Sequence, residues 1–397
     1  MPDLEHGQNG YAAGPQGRRR RRHMDAYVTP MARRHAAAFI PAVLDFSVTD
    51  YCQADCDFCG FARSKMRGKL RRFADSAAFA SALPILRRRG IRYLNFQGGE
   101  PLLHPQIIAM VAATRRAGLK PSLITNGWQL AGKADPLAAA GLQNLLVSID
   151  SADMAAHERN RGLRGVTGRI ERGVARMKAL GVPVVASVTV SKLVDFDVLP
   201  ATLRRLGFDA VTFSYPRKEP FGSSSLAYGG ESELVDFTDA ELDAALGAIL
   251  RLKRRFPVLN PAASVRDIRR HVRGARERFA CVGGFKYFYM DWRLDIWRCE
   301  AWREPLGSVF AFDRIADDRT PCTACIMSCY RDTTVMMHAG VAAADAGAAL
   351  AQAAPLAAAR ALLDAGVAES IGATVAELPL LRRLGRRRPS VAAGRAA

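Results

Sequence analysis

The 397-residue chain contains no uncharged apolar run that approaches the roughly 20 residues of a membrane-spanning helix. It has no cysteine between Cys59 and Cys281, and only nine of its 57 basic residues are lysines. Its eight cysteines are too few and too clustered for a disulfide-stapled miniprotein. Because 49% of the residues are apolar and 24% are charged, the composition predicts a folded, soluble chain of two or three domains.

The formal net charge of +19 is concentrated at the two ends of the chain. Residues 1–44 and 378–397 together supply ten of the 19 charges. We expect residues 1–40 to be a disordered basic extension, because they lack apolar periodicity, and residues 341–397 to be an Ala-rich helical segment with a basic tail. Since no recognition helix, RNA-binding aromatic strand or zinc-finger spacing accompanies the charge, we expect no specific nucleic-acid partner.

The C-terminal tail allows two interpretations. Leucines stand beside its arginines in the run LPLLRRLGRRRP, at Leu378, Leu380, Leu381 and Leu384. They suit either a packing helix with a solvated tail or a peripheral contact with an anionic membrane surface. The expected location is therefore the cytoplasm, with the membrane periphery as the alternative.

Residues 41–260 alternate between short apolar runs rich in β-formers and amphipathic stretches long enough for helices. The predicted strands cover residues 43–48, 92–97, 120–125, 144–149, 184–190 and 209–215. Repeated strand and helix units of this length specify parallel strands with right-handed crossovers. The predicted fold is α/β, a partial (β/α)6 TIM-like barrel with functional residues in the loops after the strands.

Three cysteines follow the first predicted strand in the segment YCQADCDFCG, which places Cys52, Cys56 and Cys59 in a C-x3-C-x2-C array. A structural zinc site would want four closed ligands, and no nearby His or Cys supplies the fourth. An iron of a 4Fe–4S cluster that lacks a protein ligand can instead bind a substrate or cofactor directly. The array therefore indicates an open iron–sulfur site.

This array resembles the signature of the radical S-adenosylmethionine (radical SAM) superfamily, in which an aromatic residue, here Phe58, precedes the last cysteine. The family's second motif is matched by Gly98-Gly99-Glu100-Pro101 after the second predicted strand. The resemblance implies that Cys52, Cys56 and Cys59 hold a 4Fe–4S cluster. It also implies S-adenosylmethionine binding by Phe58, Gly98, Gly99, Glu100, Pro101, Asn126, Ser148 and Arg161.

Five further cysteines fall in residues 261–340, at Cys281, Cys299, Cys322, Cys325 and Cys329. Their arrangement resembles the SPASM/twitch extensions that carry auxiliary iron–sulfur clusters in this superfamily, although the family's glycine before the second cysteine is replaced by Leu294. The resemblance implies one auxiliary cluster on Cys281, Cys299, Cys322 and Cys325. Cys329 either replaces one of them or remains a free thiol, and a structural zinc on the same four thiolates is the alternative.

The implied activity is reductive cleavage of S-adenosylmethionine to a 5'-deoxyadenosyl radical, with a flavodoxin or ferredoxin as electron donor. The run CTACIMSCYRDTTVMM resembles a segment of the adenosyl-hopene transferase group, so the expected substrate is a small molecule or an isoprenoid-type lipid. The alternatives are a SPASM-type maturase of a ribosomally made peptide, and a non-catalytic iron–sulfur or nucleic-acid-binding protein. Candidates for a base or hydrogen donor are Tyr215, Lys218 and Asp291.

Overall fold

The computed structural model describes residues 40–216, 232–322 and 325–386 of the chain. The expectations for residues 1–39, for Lys218 and for the last eleven residues of the tail lie outside the described residues. The barrel region consists of β1 Ala42–Ser47, α1 Ser76–Arg88, β2 Ile91–Gln97, α2 Ile107–Arg116, β3 Lys120–Thr125, α3 Leu130–Ala139, β4 Asn144–Ser148, α4 Met154–Arg161, α5 Val166–Ala179, β5 Val184–Thr189, α6 Leu199–Arg205 and β6 Ala210–Ser214. The remainder consists of α7 Asp239–Leu252, α8 Ala262–Val272, β7 Tyr287–Met290, β8 Asp295–Trp297, β9 Gly307–Ser308, α9 Ser328–Ala351, α10 Pro355–Leu362 and α11 Ala365–Arg386.

All nine strands belong to one sheet, in the order β6-β5-β4-β3-β2-β1-β7-β8-β9. Strands β1 to β6 pair in parallel with their neighbours, and the helices between them make the crossovers. The predicted partial (β/α)6 barrel is confirmed. Strand β7 also pairs in parallel with β1, so the cysteine-rich segment extends the barrel sheet.

One barrel helix, α4, is absent from the sequence prediction, which placed Arg161 in the approach to the next helix. The buried residues of α4 are His157 and Arg161, and both are polar. An apolar stripe is the usual sequence signal for a helix, and α4 buries charge instead. Arg161 is therefore the last residue of a helix, which Gly162 closes in the left-handed conformation at φ +59°.

A cluster of phenylalanines fixes the start of the barrel. The Phe46 ring on β1 lies 5.0 Å from the Phe79 ring on α1 and 6.0 Å from the Phe96 ring on β2, and all three are fully buried. Aromatic contacts at such separations add to the free energy of burial. They hold β1 and β2 together at the end from which the cysteine loop and the Gly-Gly motif begin.

By length and composition alone, α9 could cross a membrane, which is weak support for a membrane span. Its first turn carries Arg331, which is 1% exposed and pairs with the buried Asp267 of α8. Leu380 and Leu384 of α11 lie against Val185 and Ala210 of the barrel. Two of the four leucines considered for membrane contact therefore pack within the protein.

Candidate active site

The cysteine loop, residues 50–62, follows β1 and carries the first three cysteines. Cys56 is buried, whereas Cys52 and Cys59 are half-buried. Burial raises the pKa of all three thiols, that of Cys52 to about 12, and the nearby Glu100 and Cys59 charges add to the effect on Cys52. Thiols in this state bind metal with release of their protons, so iron must compete for the site.

The Gly-Gly motif packs against this loop. A Cβ on Gly98 would lie 2.4 Å from the Thr49 carbonyl oxygen, and a Cβ on Gly99 would lie 2.1 Å from that of Tyr51. The Gly99 and Glu100 amides donate to these same carbonyl oxygens, each at 2.8 Å. The sequence reasoning assigned the glycines to close approach by a ligand. In the structure the close approach is to the cysteine loop, whose position the motif fixes.

Glu100 links this motif to the end of β3. Its carboxylate is 1% exposed and accepts bonds from the Leu102 amide, the Thr125 hydroxyl at 2.7 Å and the Asn126 amide at 2.7 Å. Pro101 begins a short 3-10 helix behind it, Pro101–Leu103. Glu100 and Pro101 therefore position the loops, while Asn126 presents its side-chain amide 3.7 Å from the Cys52 sulfur.

Arg161 brings a buried positive charge to the cysteines. Its Nη2 donates to Asp150 at 2.7 Å, and its backbone carbonyl accepts from the Asp55 amide in the cysteine loop. Burial alone would raise the pKa of Asp150, but Arg161 and His157 hold it below its usual value. The Arg161 Nε is buried and has no hydrogen-bond partner.

A cavity of about 390 Å³ connects these groups on the inner side of the sheet. It is lined by the three cysteines and Phe58, by Gly98, Gly99 and Glu100, and by Asn126, Ser148 and Arg161. Ser187 and Thr189 of β5 line it as well. All the predicted cofactor-binding residues except Pro101 therefore reach one space, and the unpartnered Arg161 Nε suits the carboxylate of an amino acid such as the methionine part of S-adenosylmethionine.

The donor set was compared with what a metal would require. Within the described ranges, no three His, Cys, Asp or Glu side chains are arranged to hold a single metal ion. A 4Fe–4S cluster makes a different demand, because each thiolate binds its own iron. Three thiols on one loop beside a ligand cavity fit such a cluster.

Four of the five remaining cysteines lie near one another. The Cys281 amide donates to the Cys322 carbonyl at 3.4 Å. Burial raises the pKa of Cys281 to about 11, and the Cys325 and Cys322 charges contribute; Cys299 is raised by burial and by the charge of Cys325. Leu294 closes the turn between β7 and β8 at φ +66°, the conformation that glycine adopts most easily. The turn thus keeps its shape although the family's glycine is absent.

Cys329 has different surroundings. It lines the central cavity, together with Cys52, Cys56 and Cys59. Its pKa is raised well above the usual value by burial, then by the charges of Asp45, Glu300 and Asp332. This favours the free-thiol alternative for Cys329 over a place in the group of four.

The candidate bases are separated by the structure. Tyr215 lines the cavity, whereas Asp291 accepts bonds from the Arg293 and Asp295 amides and from the Trp297 ring in the β7–β8 turn. The sequence reasoning missed three cavity carboxylates, Asp45, Glu300 and Asp332. Only Asp45 carried a local signal, a charge inside the apolar run VLDFSV.

Comparison with known proteins places this geometry. Residues 46–199 match the model of the Radical SAM superfamily. The chain is 30% identical over 164 residues to a GTP 3',8-cyclase of Erythrobacter litoralis, covering 40% of this chain and 49% of that protein. It is 26% identical over 185 residues to a PqqA peptide cyclase of Gluconobacter oxydans, covering 46% and 51%. The chain thus spans about half the length of the curated relatives it matches.

Among solved structures, SuiB of Streptococcus suis bound to S-adenosylmethionine matches with a TM-score of 0.54 and 15% identity, over 70% of this chain and 67% of SuiB. SuiB bound to its precursor peptide SuiA matches with a TM-score of 0.50 and 16% identity, over 66% and 60%. These likenesses concern the fold. Together the comparisons confirm the predicted superfamily, the fold class, and the cofactors 4Fe–4S cluster and S-adenosylmethionine.

Proposed function

The chain is an enzyme with a radical SAM domain at residues 46–199, and from this premise we propose that it oxidises a peptide substrate held in the central cavity. The observation that carries the proposal is the single cavity, which joins the three-cysteine loop to the helix that leaves the second cysteine group. When bound, the cluster and S-adenosylmethionine supply a 5'-deoxyadenosyl radical that abstracts hydrogen. The protein's own groups bind, orient and shield the reactants.

The residue roles proposed for the cofactors follow from the site. Cys52, Cys56 and Cys59 hold the cluster, and the Arg161 Nε receives the methionine carboxylate. Asn126 and Ser148 line the same space. Asp150 keeps Arg161 in place through the buried pair at 2.7 Å, and Gly98 and Gly99 keep the cysteine loop against the sheet.

The proposed domain division is a radical SAM core at residues 41–260 and an auxiliary domain at 261–340. Within the second, Cys281, Cys299, Cys322 and Cys325 hold an auxiliary cluster that accepts an electron from the substrate. After anaerobic reconstitution we expect about eight irons per chain, about four for Cys325→Ala, and about eight for Cys329→Ala. Four irons with one zinc in the unmodified protein would refute the auxiliary cluster.

The proposed electron donor is an acidic flavodoxin or ferredoxin. Residues 58–72 contain six basic and no acidic residues, and they continue the cysteine loop. Arg63, Arg67, Lys69 and Arg71 surround a surface cavity of about 230 Å³ that also reaches Cys52. A negatively charged donor would be attracted to this surface close to the cluster.

The cavity's polarity bears on the substrate. The Ser122 hydroxyl donates to the Asn95 side chain at 3.1 Å, Asn95 donates to Asp45 at 3.3 Å, and the Tyr287 hydroxyl donates to Asp45 at 2.9 Å. This polar row crosses four neighbouring strands on the cavity wall. An isoprenoid chain would leave such groups without matching partners, at a cost in binding free energy. The lipid substrate expected from the sequence finds no support in this wall.

Two polar substrate classes remain, and the relatives name both. The PqqA peptide cyclases and the fold of SuiB, solved with a precursor peptide, favour a peptide. The GTP 3',8-cyclase matches make a nucleotide the second candidate. We prefer the peptide because the second cysteine group provides the electron acceptor that an oxidation of a peptide side chain requires.

An experiment without a known substrate can separate these classes. Perdeuterated extract of the source cells is divided into peptide, small-molecule and chloroform-soluble fractions, and each is incubated with reconstituted enzyme, S-adenosylmethionine and dithionite. The fraction that holds the substrate transfers deuterium to 5'-deoxyadenosine. We expect transfer from the peptide fraction, abolished by prior protease digestion. Transfer that resists protease and is lost on phosphatase treatment would support the nucleotide instead.

A further inference from the structure

Four carboxylates line the central cavity, and they differ in how their oxygens are used. Asp45 accepts bonds at both oxygens, from Asn95 and Tyr287. Both oxygens of Glu100 are bonded, and Glu300 accepts from Gln97 at 2.6 Å. The Oδ1 of Asp332 is buried and has no partner in the described part of the protein. Among these carboxylates, Asp332 is the one that offers a free acceptor to whatever occupies the cavity.

Asp332 is held firmly by its other oxygen. The Asn260 side chain donates to its Oδ2 at 2.7 Å. Asn260 in turn accepts from the Phe213 amide at 2.7 Å and donates to the Phe213 carbonyl at 3.0 Å. The first turn of α9 is thereby fixed to the end of β6, with the free oxygen of Asp332 toward the cavity.

A second group without a partner lies beside it. Tyr215, directly after β6, is 2% exposed, lines the cavity, and its hydroxyl has no hydrogen-bond partner. Burial and then the charge of Asp332 raise its pKa well above the usual value, which shows that the two groups are neighbours. Two buried polar groups without partners at one cavity indicate that a ligand completes their bonding.

We propose that Asp332 is the base that accepts the substrate's proton during oxidation, and that Tyr215 donates a hydrogen bond to the substrate. The inference rests on the proposed function. A substrate C–H bond breaks when hydrogen is abstracted, leaving one electron on carbon. A neighbouring N–H, O–H or S–H group gives its proton to the Asp332 Oδ1, and its electron pair forms the new bond to that carbon. The one surplus electron passes to an oxidised iron–sulfur cluster.

The charge around Asp332 suits this role. Burial raises the pKa of its carboxyl to about 7. The other titratable groups facing it are Tyr215, Cys329, Lys253 and Glu377, of which the last two pair with each other at 2.9 Å. A base of this strength accepts a proton near neutral pH and can release it to solvent afterwards.

The test uses the full-length reconstituted enzyme and the perdeuterated fraction that transfers deuterium with wild type. Asp332→Asn should still transfer deuterium to 5'-deoxyadenosine at a rate near that of wild type, while oxidised product falls by at least about 100-fold. The matched control is Asp291→Asn, which changes a buried carboxyl outside the cavity lining and should leave both readouts unchanged. Oxidised product formed by Asp332→Asn at the wild-type rate would overturn the assignment.

A measurement on the wild type keeps the inference testable if the variant does not fold. The ratio of oxidised product to deuterated 5'-deoxyadenosine should rise with pH through about 7, because the base must be ionised. A ratio that does not change with pH would refute the role of Asp332. If wild type transfers no deuterium from any fraction, the proposed function itself fails, and this inference falls with it.

Discussion

Replacing Gly99 by alanine should displace the cysteine loop and prevent cluster assembly. The added Cβ would lie 2.1 Å from the Tyr51 carbonyl oxygen, where ordinary contacts begin near 3.4 Å, so the backbone must retreat by more than about 1 Å. Overpacking of this kind costs about 1 to 3 kcal/mol. The two backbone hydrogen bonds between the motif and the loop add about 1 kcal/mol each, for a total of about 3 to 5 kcal/mol.

Iron content and the visible absorption of the reconstituted cluster measure this effect, and denaturant unfolding measures the loss of stability. The matched control is Gly132→Ala in α3, where an added Cβ meets no atom within 4 Å. In a helix interior that change should stabilise the protein by up to about 1 kcal/mol. Full iron content together with unchanged stability in Gly99→Ala would refute the view that the motif positions the loop.

The remaining predictions concern buried charge and the electron donor. Arg161→Gln leaves Asp150 buried without its cation and should lower the free energy of unfolding by about 3 to 5 kcal/mol, whereas Arg159→Gln, from an exposed pair with Asp153, should change it by less than about 1 kcal/mol. Equal effects in denaturant titrations would contradict this assignment. Because the folded protein holds the Asp332 proton up to about pH 7, against a usual value of 3.8, ionisation destabilises wild type as the pH rises, and Asp332→Asn escapes this penalty. From pH 5 to pH 8 the stability of the variant relative to wild type should grow by roughly 3 kcal/mol, and a difference that shrinks with pH would show that the sign is wrong. Reversing the charges of Lys65, Arg67 and Lys69 should raise the flavodoxin concentration needed for half-maximal rate by about tenfold or more at low salt and leave the dithionite-driven rate unchanged; an equal loss with both reductants would place the defect in the cluster.

The features that sequence reasoning found are those written in consecutive residues. The spacing of Cys52, Cys56 and Cys59 and the run Gly98 to Pro101 are local, and alternating strand and helix patterns specify a parallel barrel whatever the loops contain. The strand positions agree with the structure to within a few residues, because each strand is a short apolar run between turn residues.

What the sequence could not reveal depends on contacts between distant segments. Helix α4 escaped notice because it buries His157 and Arg161 instead of an apolar stripe. The free oxygen of Asp332 exists because Asn260 occupies only the other one, and these residues are 72 positions apart. The separation of Cys329 from the four neighbouring cysteines likewise results from where α9 begins.

The claim that the first three cysteines hold the cluster that cleaves S-adenosylmethionine is central, and one assay tests it directly. Wild type and Cys59→Ala are reconstituted anaerobically with iron and sulfide, reduced with dithionite and supplied with S-adenosylmethionine. We predict that wild type releases 5'-deoxyadenosine and that Cys59→Ala releases none above the level of the enzyme-free control. Release by Cys59→Ala at the wild-type rate would contradict the assignment of this site.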